Sequence, residues 1–188
     1  MLHRIDRATG LALTLDLDPE PRNPRLAEDS LFHLVTWTEP RLGDAHDWPS
    51  PSHFLAAMRH VPALVVPVKV VRSRDGRPGF STVGLEGRRP AGYAVATHER
   101  LRLHFGADAL TPEHLEDARL ACDGELLAYE QFLEGDVHAY TIAAPDGRVL
   151  ERRDGLCGVE WAEWNAERAF EDRVMRWGRD EGRRRPAA

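Results

Sequence analysis

TPEHLEDARLACDGELLAYEQFLEGDVHAYTIAAPDGRVLERR, residues 111–153, is the stretch whose reading decides the fold. Thr111 supplies a capping hydroxyl, Pro112 a first helical position that needs no amide hydrogen, and Glu113 an acid beside the positive helix end. Leu115, Ala118, Cys122, Leu126, Tyr129 and Leu133 follow at steps of three or four, which draws one apolar stripe along a helix. Glu134-Gly135 ends it. Residues 137–143 and 149–153 then flank Ala144-Pro145-Asp146-Gly147, whose turn chemistry predicts a β-hairpin. A helix followed by a hairpin on which it can pack is the nucleus of an α+β domain.

Composition sets the outer limits. A chain of 188 residues is most simply one domain, and its 42% hydrophobic and 30% charged residues belong to a soluble globular protein. No apolar run approaches the ~20 residues of a membrane span, and Met1-Leu2-His3-Arg4-Ile5-Asp6 lacks the core of a signal peptide. The only cysteines are Cys122, on the helical stripe, and Cys157, so no disulfide framework is expected. Together these features predict a cytoplasmic protein. A net charge of −6 opposes non-specific nucleic-acid binding by the whole chain.

Working outward, residues 11–18 alternate Leu13, Leu15 and Leu17 against Thr14, Asp16 and Asp18, the mark of a half-buried strand. Pro19, Pro21 and Pro24 prevent its continuation. Residues 31–38 read as a second strand, and Ser50-Pro51-Ser52 opens a short helix carrying Phe54, Leu55 and Met58. Residues 63–71 form the most apolar strand, where Pro62 and Pro67 favour an edge or a bulge. Residues 93–96 form a brief strand, Thr97 caps a helix that Gly106 ends, and a final helix spans 162–177. The expected architecture is α+β: a mixed, largely antiparallel sheet with helices packed mainly on one side. It forms a single domain over 1–177 and leaves a disordered basic tail over 178–188.

Three constellations could carry chemistry. Gly43-Asp44-Ala45-His46 and Gly135-Asp136-Val137-His138 repeat one pattern, and on extended backbone each presents a carboxylate and an imidazole to one side. Asp44, His46, Asp136 and His138 could therefore hold a divalent metal or orient a general base. Against this stands the ordinary use of Gly-Asp in turns and caps. The stretch 69–90 sets Lys69, Arg72, Arg74, Arg77, Arg88 and Arg89 against Asp75 and Glu86, a basic glycine-rich loop suited to an anion or nucleic acid. A solvated loop explains the same composition. No phosphate-loop, dinucleotide or hydrolase pattern occurs, and no cofactor is implied. Acidic residues along 111–136 read as the wet face of an amphipathic helix, or as a match to that basic loop.

The third constellation is in the last helix. Ala162, Ala166, Ala169, Phe170, Val174 and Trp177 share a sector that predicts the core face. Trp161, Trp164, Arg168 and Met175 fall opposite, which suits a protein partner or a second copy of the chain. The competing account starts the helix near Trp164 and packs Trp161 inward.

The chain resembles a family of small proteins encoded by bacteriophages and plasmids that have no assigned function. The resemblance rests on Asn23-Pro24-Arg25, on Leu42-Gly43-Asp44 and on Tyr129-Glu130-Gln131-Phe132-Leu133-Glu134-Gly135-Asp136-Val137. Similar proteins carry tyrosine where this chain has His138, and residues 79–92 depart from the aromatic, cysteine-containing segment usual there. The resemblance implies a mobile-element origin and nothing catalytic. The expected function is non-enzymatic: binding a host or phage protein through Trp161, Trp164, Arg168 and Met175, without membrane or nucleic-acid partners. A metal-assisted hydrolase or nuclease built on the two Gly-Asp-x-His pairs is the second reading. Nucleic-acid binding through the basic loop is the third.

Overall fold

A computed structural model describes residues 1–28, 30–84 and 89–184. The fold is α+β, as its patterning predicts, and the described residues form four α-helices and two four-stranded sheets whose pairings are all antiparallel. By its internal contacts the chain divides into two compact units, Met1–Arg22 with Glu134–Ala188, and Asn23–Leu133. The second is thus an insertion between the two parts of the first.

The outer unit contains strands β1 (Leu2–Ile5) and β2 (Ala12–Leu17). The predicted hairpin joins them as β7 (Val137–Ala143) and β8 (Val149–Cys157), in the order β1-β2-β7-β8. Leu13 stands opposite Ile142 and Leu15 opposite Tyr140, so these two leucines share a buried face with every second residue of β7, whereas Leu17, the third of the alternation, is exposed at the strand end. Helix α4 (Val159–Arg184) covers that face. Ala162, Ala166 and Phe170 are buried with Leu11, Leu13, Leu15, Tyr140, Ile142 and Leu156, while Ala169, Val174 and Trp177 pack against the same cluster. This is the core sector read from the sequence. The helix is longer at both ends than that reading has it. Residues 178–184, expected as tail, continue it, because Gly178 and Gly182 each cost only about 1 kcal/mol in a helix and the arginines and glutamate between and after them are good helix formers. Residues 185–188 of the expected tail lie outside the described residues.

The inserted unit holds β3 (His33–Thr36), β4 (Ala63–Arg72), β5 (Pro78–Ser81) and β6 (Gly92–Thr97) in the order β3-β6-β4-β5. Alternation along β4 sends Leu64, Val66 and Val68 to one face, where Leu101 of α2 (His98–Phe105) and the stripe of α3 (Pro112–Glu134) meet them. Ala118, Cys122, Leu126 and Tyr129 are buried there. The opposite face carries Val35 and Val95 against Phe54 of α1 (Pro51–Met58), with Trp37, Trp48 and Tyr93 around them. Helices therefore lie on both faces of this sheet. Pro67 pairs only with β6, since β5 joins β4 from Lys69 onward, and this is where a residue without a donor is tolerated.

The stretch 111–153 is consequently not one nucleus. Its helix belongs to the core of the inserted unit, and its hairpin to that of the outer unit. Gly135, with φ +78°, makes the left-handed turn between them.

Candidate functional site

The two Gly-Asp-x-His pairs do local structural work. In the inserted unit, Asp44 accepts from Arg25 (Nη2–Oδ2 2.7 Å) and from the Leu34 amide (2.7 Å), with His33 Nδ1 at 3.4 Å. Arg25, its side chain 5% exposed, also donates to Glu125 at 3.0 Å and to the Phe32 carbonyl. Burial opposes the Arg25 charge, but Asp44 and Glu125 outweigh it and hold the guanidinium above its ordinary pKa. Burial pushes His33 below its usual value despite the opposing pull of Asp44. His46 faces elsewhere. Its Nε2 lies 3.1 Å from the Thr36 carbonyl, and its ring sits beside those of Trp37 and Trp48.

In the outer unit, Asp136 is a helix cap. One carboxylate oxygen accepts from the Val159 amide at 3.4 Å, the other lies 2.7 Å from His138 Nε2, and the Asp136 carbonyl accepts from Gly158 at 2.8 Å. His138 is buried as the cap's second partner. Asp44 and His46 belong to the inserted unit and Asp136 and His138 to the outer one, and among the described residues no three His, Cys, Asp or Glu side chains are grouped to hold a metal ion.

Two arginines of the basic loop are paired with carboxylates. Arg72 pairs with Glu39 and donates to the Gly76 carbonyl (2.6 Å), and Arg77 pairs with Asp75 at 2.9 Å. Arg74 is exposed on the β4–β5 turn, Arg89 lines a separate shallow cleft beside Lys69 and Trp37, and Arg88 lies outside the described residues. The loop has contacts with α3 through Thr82 to Asp123 (2.7 Å) and the Phe80 amide to Glu130 (3.2 Å). Together with Glu125, these carboxylates correct the reading of the acidic run as merely a wet face. Three of its members fasten the inserted unit.

The third constellation lies on the outer side of α4. Helix α4 begins at Val159, so Trp161 lies within its first turn. The account that starts the helix near Trp164 and turns Trp161 inward is thereby corrected. Trp161 and Trp164 are 54% and 49% exposed, and Met175 is 56% exposed. The two indoles stack with centroids 5.0 Å apart and planes 13° from parallel, and the Arg168 guanidinium lies 5.2 Å over the Trp164 ring. Positions 161, 164, 168 and 175 fall within about 60° of one another around the helix axis, forming a single stripe.

Alongside this stripe, a cleft of about 380 Å³ runs between α4 and the β7–β8 hairpin. Sequence reasoning missed it, because it joins Tyr140, Glu151 and Arg153 of the hairpin to Arg168, Arg173 and Arg176 of the helix. Tyr140 donates to Glu151 at 2.8 Å, and Arg173 donates to the other Glu151 oxygen at 2.7 Å. Burial and then the Glu151 carboxylate push the Tyr140 hydroxyl up to about 12, so it stays a donor throughout the neutral range. Burial alone would raise Glu151, but the bonds from Arg173 and Tyr140 win and lower it. Arg153 donates to Asn165 at 3.3 Å, and Asn165 in turn donates to the Trp161 carbonyl at 2.8 Å.

In comparisons with family models, curated proteins and solved structures, nothing matches this chain. Among the described residues no helix is long and apolar enough to cross a membrane.

Proposed function

We propose that the protein acts by binding another protein, a host or phage component, through the open face of α4. The observation that carries the reading is the stacked pair Trp161–Trp164 with Arg168 over Trp164, left half exposed on a helix whose opposite side packs Ala162, Ala166 and Phe170 into the core. Exposing two indoles forgoes the burial that each could contribute, and tryptophan and arginine are the residues most enriched where interfaces concentrate their binding energy. The stripe 161, 164, 168, 175 has the spacing of a seam that receives a second helix. The resemblance at 129–137 supports a mobile-element setting for such a partner.

The test compares wild type with Trp161→Ala/Trp164→Ala. Because both side chains are about half exposed, the double variant is expected to lose less than about 1 kcal/mol of folding stability. A partner retained by immobilised wild type and then purified should bind the variant at least about 30-fold more weakly, the equivalent of one 2 kcal/mol hot spot. Equal affinity for both proteins would move the contact surface away from α4.

A further inference from the structure

We infer that the cleft between α4 and the β7–β8 hairpin receives acidic side chains of that partner, so that the surface selects an amphipathic helix with glutamates or aspartates along one flank. This inference rests on the α4 reading and adds the chemistry of what binds there. The cleft is lined by four arginines, Arg153, Arg168, Arg173 and Arg176, against the carboxylates of Glu151 and Asp172. Glu151 is committed to Arg173 and Tyr140. Arg153 and Arg168 have no carboxylate within 4.0 Å among the described residues. Arg153 meets the Asn165 amide oxygen and the Tyr140 hydroxyl, and Arg168 lies over the Trp164 ring. None of these contacts neutralises a guanidinium.

Guanidinium groups present paired N–H donors that match a carboxylate in a fork. Asn165 steadies Arg153 from the helix, and the Trp164 ring steadies Arg168, so two cationic heads are already held before a ligand arrives. The cleft lies directly beside the apolar stripe, since Trp164 and Arg168 belong to both. An acidic flank next to an apolar seam is therefore the complementary partner surface.

Nucleic acid is the other polyanion that arginines attract, and three features favour the peptide. The whole chain carries a net charge of −6. Asp172 and Glu151 stand inside the cleft, where they would repel a continuous run of phosphates but can be passed by discrete carboxylates. Trp164 is already flanked one turn before by Trp161 and one turn after by Arg168, which leaves little of its ring for an incoming base.

The experiment uses the full chain and two fluorescein-labelled helical peptides of identical leucine seam. One carries glutamate and the other glutamine on the flanking positions, and a single-stranded dT oligonucleotide of equal charge serves as the third probe. Anisotropy is measured with wild type, Trp161→Ala/Trp164→Ala and Arg153→Gln/Arg168→Gln, each checked for an unchanged thermal midpoint. The expected result is binding of the glutamate peptide at least about tenfold tighter than the glutamine peptide. That preference should disappear in the arginine variant and shrink as salt is raised. Tighter binding of the oligonucleotide, or glutamate and glutamine peptides bound alike, would overturn the inference. No arginine-dependent binding of either peptide would overturn it equally. The two readings fail separately. A purified partner that is lost from the tryptophan variant but held fully by the arginine variant leaves the α4 surface standing and removes the acidic flank. A partner held equally by both variants removes the surface itself.

Discussion

Single residues show how one short pattern can be used for different physical ends. In Gly43-Asp44-Ala45-His46 the glycine is required by close approach, since a Cβ there would lie 2.7 Å from Thr36 Oγ1 and 3.0 Å from the Leu34 carbonyl oxygen. In Gly135-Asp136-Val137-His138 it is required by backbone geometry, with φ at +78°. Asp44 serves a buried arginine, whereas Asp136 serves a helix end. Four residues of sequence cannot distinguish these uses, because the deciding atoms belong to Arg25 and Val159, far away in the chain. The Arg25 network is also the most demanding electrostatic feature of the inserted unit. Removing the guanidinium would leave Asp44 and Glu125 facing one another without a counter-charge, a loss of about 3–5 kcal/mol for a buried pair. Asp44 and Glu125 keep 17% and 23% of their side-chain surface, so Arg25→Ala is expected near the lower end, about 3 kcal/mol, read from urea unfolding. A loss below about 1 kcal/mol would mean that water replaces the arginine at little cost.

At the scale of elements, periodicity was a sound guide wherever an element had one wet and one dry side. The stripe of α3, Leu13 and Leu15 of the β2 alternation, and the core sector of α4 emerge in the predicted orientation, while Leu17 is exposed. Elements without such contrast escaped. β1 is mostly exposed at an edge, and β5 is four residues long with a proline and a glycine, so neither writes a pattern into the chain. β6 reads in the sequence only as a brief strand over 93–96, and the reason for its small residues lies in its neighbours. It is the central partner of β3 and β4, and Gly92 packs so closely that a Cβ would run into the Val35 carbonyl oxygen. Overpacking of this kind costs about 1–3 kcal/mol, and a backbone obstacle gives less readily than a side chain. Gly92→Ala is therefore expected to cost at least about 2 kcal/mol and to reduce amide protection in β3 more than in β5, as measured by hydrogen exchange. Unchanged protection in β3 would show that the two strands can separate freely.

On the scale of the whole molecule, the interruption of one unit by another has a direct consequence. Both hydrophobic clusters of the inserted unit draw only on residues 23–133, so this segment holds its own core. A fragment of residues 23–133 is expected to unfold cooperatively and to retain protected amides in β3, β4 and β6; a fragment with no protected amides would show that the core needs the flanking chain. The sequence by itself determined the α+β class, the helical and strand stripes, the free state of Cys122 and Cys157, and the separation of a packed from an open side on α4. Those are consequences of local spacing, which the 3.6- and 2-residue periods convert directly into faces. Tertiary structure alone decided that α3 and the hairpin after it belong to different cores, that Asp44 answers Arg25, and that Arg153 joins the α4 arginines in one cleft. Each of these depends on which stripe meets which, and a face records how apolar it is without recording what will cover it.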